Sequence, residues 1–131
     1  MTATGEVSAL IPFVHVADIS RSVAYYELLG FAVVDTYRHN DELVWAALAS
    51  ADARIMLARA DAPISLEEQG VLFYLYSADL AALRDYLVAN GVDAGPIRDG
   101  TPGPKQEMRL SDPDGYCLMV AQVDAGDSPP A

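Results

Sequence analysis

Cysteine is almost missing from this sequence: Cys117 stands alone among 131 residues, which excludes an internal disulfide and any metal site built from clustered thiolates. Positive charge is scarce as well. Eight Lys and Arg face nineteen Asp and Glu, a formal net charge of −11, and a field of that sign repels phosphate backbones, so nucleic acid is not an expected partner. The same field attracts a cation, although an acidic surface serves solubility equally well. No apolar run approaches the roughly 20 residues of a membrane-crossing helix, and MTATGEVSAL has neither the basic region nor the apolar segment of a secretion signal. The expectation is a cytoplasmic protein without a membrane partner. Also missing are a Ser, His and Asp set, paired carboxylates at a supportive spacing, and a glycine loop for phosphate. GTPGP at 100–104 has glycines, but its prolines remove the amide donors that such a loop needs.

What is present is 52% hydrophobic content, enough for one domain with a proper core. Residues 1–9 are small, polar and aperiodic, which predicts a flexible arm, and DAGDSPPA at 124–131 predicts a disordered tail. From Ile11 the text reads IPFVHVADIS, where Ile11, Phe13 and His15 alternate with Pro12, Val14 and Val16, as in a strand apolar on both faces. Pro12 cannot donate to a ladder, so it belongs at a strand start or on an edge. Asp18 or Ser20 caps a helix over 19–29 with Ile19, Val23 and Tyr26 on one stripe, and Gly30 ends it. Strands follow at 31–37, 44–49 and 54–58, separated by the polar RHNDE and SAD turns.

After a polar linker, 59–70, the same order begins again. A strand at 71–76 leads through the candidate cap Asp79 into a helix with Leu80, Leu83 and Leu87 on its buried stripe, ending at Asn90 and Gly91. Ala17, Asp18 and Ile19 recur as Ala78, Asp79 and Leu80, and Gly30–Phe31 recurs as Gly91–Val92, both at an offset of 61 residues. Strands at 107–111 and 116–120 close the second unit around SDPDGYCLMV. There Pro113 and Asp114 suit the middle of a β-turn and Gly115 the positive φ that closes it. Cys117 and Met119 then share one strand face, with Tyr116, Leu118 and Val120 on the other. The reading is an α+β fold of two βαβββ units, 10–58 and 71–123, within one domain over 10–123. They form a curved mixed sheet with a concave cavity, completed in a homodimer, with Ile11, Met56 and Met119 facing the concavity.

VADISRSVAYYELLGF, ADLAALRDYLVANGV and DPDGYCLMV together resemble the vicinal oxygen chelate superfamily, which includes glyoxalase I, extradiol dioxygenases and bleomycin resistance proteins. The resemblance covers 11–123. It implies, for the family's enzymes, a divalent metal held in the concave face by His, Glu or Gln from the first and last strand of each unit. Here those positions are Ile11, Leu72 or Phe73, Met56 and Met119. None is a usable ligand, since thioether sulfur suits only soft ions. The resemblance then implies the branch without metal or cofactor, the bleomycin-resistance type, in which a homodimer sequesters a bulky cationic, aromatic antibiotic. In those proteins the N-terminal strand crosses to the partner after a proline, and Pro12 stands at that place. The alternative is a metal-dependent lyase, isomerase or dioxygenase with a displaced metal site around His15, approached by Glu107 or His39.

No catalytic residue and no metal ligand is nominated. The candidate ligand-binding residues are His15, Tyr37, Trp45, Met56, Tyr74, Tyr76, Glu107 and Met119, for a small molecule that is cationic or aromatic. His15 is the ionisable group of the first strand, suited to a ligand contact or to a structural hydrogen bond. Tyr74 and Tyr76, the repeat partners of Phe13 and His15, pair an apolar ring with a polar tip, and Trp45, the single tryptophan, suits stacking or core packing. Tyr37 borders a loop with Asp41 and Glu42 that either meets a cation or is a solvated turn. Met56 and Met119 offer adaptable walls. Glu107 and Arg109 share a face and are candidates for an ion pair, while Cys117 reads as a small buried hydrophobe.

Overall fold

Asp18 and Asp79 open the two helices in the same way. Asp18 Oδ1 accepts from the Arg21 amide at 3.2 Å at the head of α1 (Ile19–Leu28), and Asp79 Oδ1 accepts from the Ala82 amide at 3.1 Å at the head of α2 (Leu80–Ala89). Each carboxylate satisfies an amide that the first helical turn leaves bare. The ends match too. Gly30 and Gly91 take φ of +95° and +83°, their amides bond to Glu27 and Val88 carbonyls, and the next amides, Phe31 and Val92, bond to Tyr26 and Leu87. These are the paired bonds of a Schellman cap. Its usual apolar contact is present in α1, where the Phe31 and Tyr26 rings meet edge to face at 5.9 Å.

The computed structural model describes residues 5, 9–65, 71–99 and 106–123. Most of the expected arm, linker residues 66–70, the loop 100–105 and the tail 124–131 lie outside the described residues. The architecture is α+β, with two helices and two mixed sheets, and the chain divides into two compact units, Met1–Ile64 and Ser65–Ala131. Among the described residues no helix is long and apolar enough to cross a membrane.

Unit 1 contains β1 (Phe13–Val16), α1, β2 (Ala32–His39), β3 (Glu42–Ser50) and β4 (Ala53–Arg59), in the sheet order β1-β4-β3-β2 with β1 parallel to β4. The first strand begins at Phe13 instead of Ile11, because Pro12 has no N–H to give. Its carbonyl still accepts from the Met56 amide at 2.9 Å. Both hairpins are tighter than RHNDE and SAD suggest. Asn40 and Asp41, at φ +51° and +65°, make a two-residue turn of the primed kind that matches strand twist. At the other turn Ala51 takes φ +51°, and Arg54 Nη1 clasps the Ala51 and Ala53 carbonyls at 2.7 and 2.8 Å. Val14, Val16, Ala46, Leu48, Ile55 and Leu57 alternate into the core under Ile19, Ser22 and Tyr26 of α1. Val23 is only half-buried; the fully buried Ser22 takes the central place, a small side chain that lets the helix lie close to the sheet.

Unit 2 contains β5 (Leu72–Ser77), α2, β6 (Glu107–Ser111) and β7 (Cys117–Gln122), in the order β5-β7-β6 with β5 parallel to β7. Where unit 1 has β2, the described residues of unit 2 have a single bridge, Arg98 to Glu107. Met108, Leu110, Leu118 and Val120 are buried with Leu80 and Leu87 of α2, and Leu83 is half-buried. Gln122 anchors the helix from the last strand, accepting from Leu80 N at 2.8 Å and donating to the Ala78 carbonyl at 2.7 Å. In the closing hairpin Gly115 has φ +89° and its amide bonds to Asp112 O at 2.9 Å. Asp112 is buried, and one carboxylate oxygen accepts from both Asp114 N and Tyr116 N at 2.9 Å, so the turn is held from inside by a charge whose burial these donors offset.

Candidate functional site

Each sheet buries one face under its helix and leaves the other uncovered by any element of its own unit. Cross-strand partners share a face, so the registers can be read as rows across these open faces. In unit 1 one row runs Phe13, Met56, Ala47, Asp35, and the next runs His15, Ala58, Trp45, Tyr37. In unit 2 the corresponding rows are Tyr74, Met119, Arg109 and Tyr76, Ala121, Glu107, Arg98. A third row of unit 2 holds Leu72, Cys117 and Ser111. All eight sequence-nominated residues therefore lie on open faces, four in each unit. Ala58 and Ala121 separate large side chains in the second rows, with flanking strands two spacings, about 10 Å, apart.

The geometry within each face is specific. Phe13 and His15 meet edge to face at 5.5 Å, while Tyr74 and Tyr76, their repeat partners, stack at 6.2 Å with planes 28° apart. Tyr37 is well exposed and Trp45 half-buried beside Ala58. The Tyr74 hydroxyl reaches across β7 and donates to Glu107 Oε2 at 3.0 Å. That bond, with smaller contributions from desolvation and from the negative charge of Glu107, raises the phenol pKa above its usual value. The ion pair expected between Glu107 and Arg109 is absent among the described residues. Tyr74 occupies the carboxylate, and residues two apart on one strand stand about 7 Å apart, beyond an easy pairing. Cys117 is half-buried on the open face and not a core residue.

Cavities among the described residues include one in each unit. One, of about 470 Å³, lies in unit 2 and is lined by Arg98, Asp99, Glu107, Arg109, Ser111 and Met119 among others. The second, of about 370 Å³, lies in unit 1 at the head of α1, beside Arg38 and the ion pair of Arg59 with Glu42. The Arg59 hydrogen bond and charge hold the Glu42 carboxyl below the ordinary carboxylate range.

The metal that the resemblance implies for the family's enzymes does not fit these residues. Met56 and Met119 present thioethers at the last-strand positions, Ile11 is aliphatic, and the register puts Leu72 on the open face while Phe73 faces away from it. Hard or borderline cations require oxygen or imidazole donors. Among the described residues no three His, Cys, Asp or Glu side chains converge. Sequence reasoning placed Phe13 on the face of His15 without nominating it for the site, and missed Asp35 and Arg98 as members of the faces. Phe13 was within reach, lying two residues before His15; Asp35 and Arg98 depend on a bulge and an isolated bridge that no local pattern announces.

Solved structures share this fold. A bleomycin-binding protein complexed with bleomycin superposes with a TM-score of 0.72 at 21% identity, over 90% of this chain and 100% of that one. An antibiotic-binding protein, TnmS3 from Streptomyces sp. CB03234, gives 0.71 at 21% identity over 92% and 98%. The fosfomycin resistance protein FosX from Listeria monocytogenes gives 0.67 at 15% identity over 88% and 92%. No curated protein matches the chain in sequence. The profile of one family does match, over residues 10–120, nearly the whole described chain. With the repeated caps, the two mixed sheets and the closing hairpin in place, the chain belongs to the Glyoxalase/Bleomycin resistance protein/Dioxygenase superfamily.

Proposed function

We propose that this protein binds and sequesters a small aromatic molecule of the antibiotic kind on its open sheet faces, without a metal, as a homodimer. The observation that carries the reading is the chemistry of matching positions in the two units. Met56 and Met119, each paired across strands with an aromatic residue, Phe13 or Tyr74, stand where a metal enzyme of this fold needs a carboxylate. Around them His15, Tyr37, Trp45 and Tyr76 supply flat, partly apolar surfaces with polar tips, the composition of a ligand pocket more than of a solvated sheet. Glu107, already bonded to Tyr74, adds one fixed acceptor. Fold likeness to bleomycin-binding and antibiotic-binding proteins supports the ligand class by analogy. The dimer reading rests on Leu10 and Ile11, exposed apolar residues directly before Pro12 that a partner chain would cover.

The single tryptophan makes the test direct. Trp45 emission, titrated with bleomycin and with a panel of polycyclic aromatic antibiotics, is expected to quench saturably for at least one compound, and exhaustive chelation is expected to leave the curve unchanged. Sedimentation velocity is expected to show a dimer that Leu10→Asp weakens. Recovery of one tightly held equivalent of zinc, nickel, manganese or iron, or loss of binding on chelation, would overturn the metal-free reading.

A further inference from the structure

We propose that the cavity of unit 2 receives the carboxylate of an aromatic acid, with Arg98 and Arg109 as its two guanidinium contacts. The inference rests on the small-molecule reading above and names the ligand's charged group. The chain has seven arginines. Arg38, Arg54 and Arg84 donate to backbone carbonyls, Arg59 pairs with Glu42, and Arg21 has a contact of its own. Arg98 and Arg109 alone have no side-chain hydrogen bond or ion pair among the described residues, and both line the same 470 Å³ cavity.

Their position explains why they stay unpaired. Arg98 bridges to Glu107, and Arg109 lies two residues along the same face of β6. Glu107 is the carboxylate between them, and the Tyr74 hydroxyl holds it at 3.0 Å. Asp93 and Asp99 also line the cavity, and Asp99 has a contact of its own. Two guanidinium groups that, among the described residues, have no side-chain hydrogen bond or ion pair, although Asp93, Asp99 and Glu107 line the same cavity, form a place where an outside carboxylate finds two planar, charge-assisted donor forks.

The row Tyr74, Met119, Arg109 gives the other half of the ligand. The stacked Tyr74 and Tyr76 rings stand two strand spacings, about 10 Å, from β6, with the Met119 thioether as the floor between. A flat bicyclic ring lying on that floor directs its carboxylate to Arg98 and Arg109, with the Ser111 hydroxyl at the same wall.

The test compares three probes of one shape by calorimetry on the full chain: 2-naphthoate, 2-naphthamide and 2-naphthylmethylammonium, with inorganic phosphate as a fourth arm. The acid is expected to bind at least about tenfold more tightly than the amide, as charge-assisted bonds require, and Arg98→Gln with Arg109→Gln is expected to reduce that ratio to about one. Arginine Nε–H resonances of the unmodified protein give an independent readout if the double variant misfolds: two are expected to shift with the acid and none with the amide. An amide or ammonium that binds as tightly as the acid would overturn this assignment and leave the small-molecule reading standing. Phosphate binding as tightly as the acid would overturn the aromatic part. If no aromatic probe binds, the small-molecule reading fails and this inference with it.

Discussion

Under the helices the two units use the same kinds of residue: Val14, Ile55 and Leu57 in one, Leu110, Leu118 and Val120 in the other, closed by aspartate caps and left-handed glycines. On the open faces they part. The row Phe13, Met56, Ala47 becomes Tyr74, Met119, Arg109, and His15, Ala58, Trp45, Tyr37 becomes Tyr76, Ala121, Glu107, Arg98. Trp45 and Tyr37 are exchanged for Glu107 and Arg98, and Ala47 for Arg109, at the same registers. Packing constrains the covered face to apolar volume, whereas the open face is free to take any chemistry that the strands can display. One scaffold, repeated within a single chain, thus carries two faces that share aromatic residues on the first strand and differ on the strands beyond.

The comparison can be broken first at the cores. Leu57→Ala and Leu118→Ala remove fully buried side chains from equivalent layers and are expected to cost about 2–5 kcal/mol each in urea unfolding. A much smaller loss for Leu118 would show that the three-stranded sheet is the looser of the two. Next come the helix ends. A methyl at Gly91 meets nothing within 4 Å, and at Gly30 only Ser50 Oγ at 3.5 Å, so Gly30→Ala and Gly91→Ala should each cost about 1–2 kcal/mol through the positive φ alone. Unequal losses would reveal a constraint that one cap has and the other lacks. A smaller effect of opposite sign is expected at Ala51, an alanine at φ +51° in unit 1: Ala51→Gly should raise the unfolding midpoint, a gain of about 0.5–1 kcal/mol.

The smallest effect concerns Tyr74, the ring that unit 2 has in place of Phe13. Its folded pKa is raised, chiefly by the bond to Glu107, so the contribution of that bond is fully present below the unfolded phenol value. It is lost as pH rises through the folded one. Ultraviolet titrations of the protein and of Glu107→Gln should differ by one tyrosine, which ionises at lower pH in the variant. An unchanged curve would mean that the Tyr74 hydroxyl does not rest on Glu107 in solution.

The helices and their ends were readable in the sequence because a cap is local chemistry: Asp18 and Asp79 act on amides three residues away, and Gly30 and Gly91 supply a backbone angle that few other residues accept. The turn at Pro113, Asp114 and Gly115 was readable for the same reason. Registers were not. That Phe13, and not Ile11, stands beside Met56, or that His15, Trp45 and Tyr37 share a row, depends on pairing between segments up to 43 residues apart in sequence, which no local pattern encodes. Ser22 under the helix and the Asp112 carboxylate inside the hairpin escaped because polarity reads as exposure until a partner is known.

One further consequence belongs to β2. All eight of its residues are exposed, and it closes its sheet with an outer edge that no described strand covers, the arrangement that ordinarily recruits a neighbouring chain. The irregularity between Val33 and Asp35 leaves Val34 as an extra residue of β2 and breaks that edge, with the charged Asp35 beside the break; at the second irregularity the extra residue, Val44, belongs to β3. An incoming strand would lose step with it at Val34. At this border the bulge at Val34 works against strand addition alongside the acidic surface, and deleting that residue would straighten the edge.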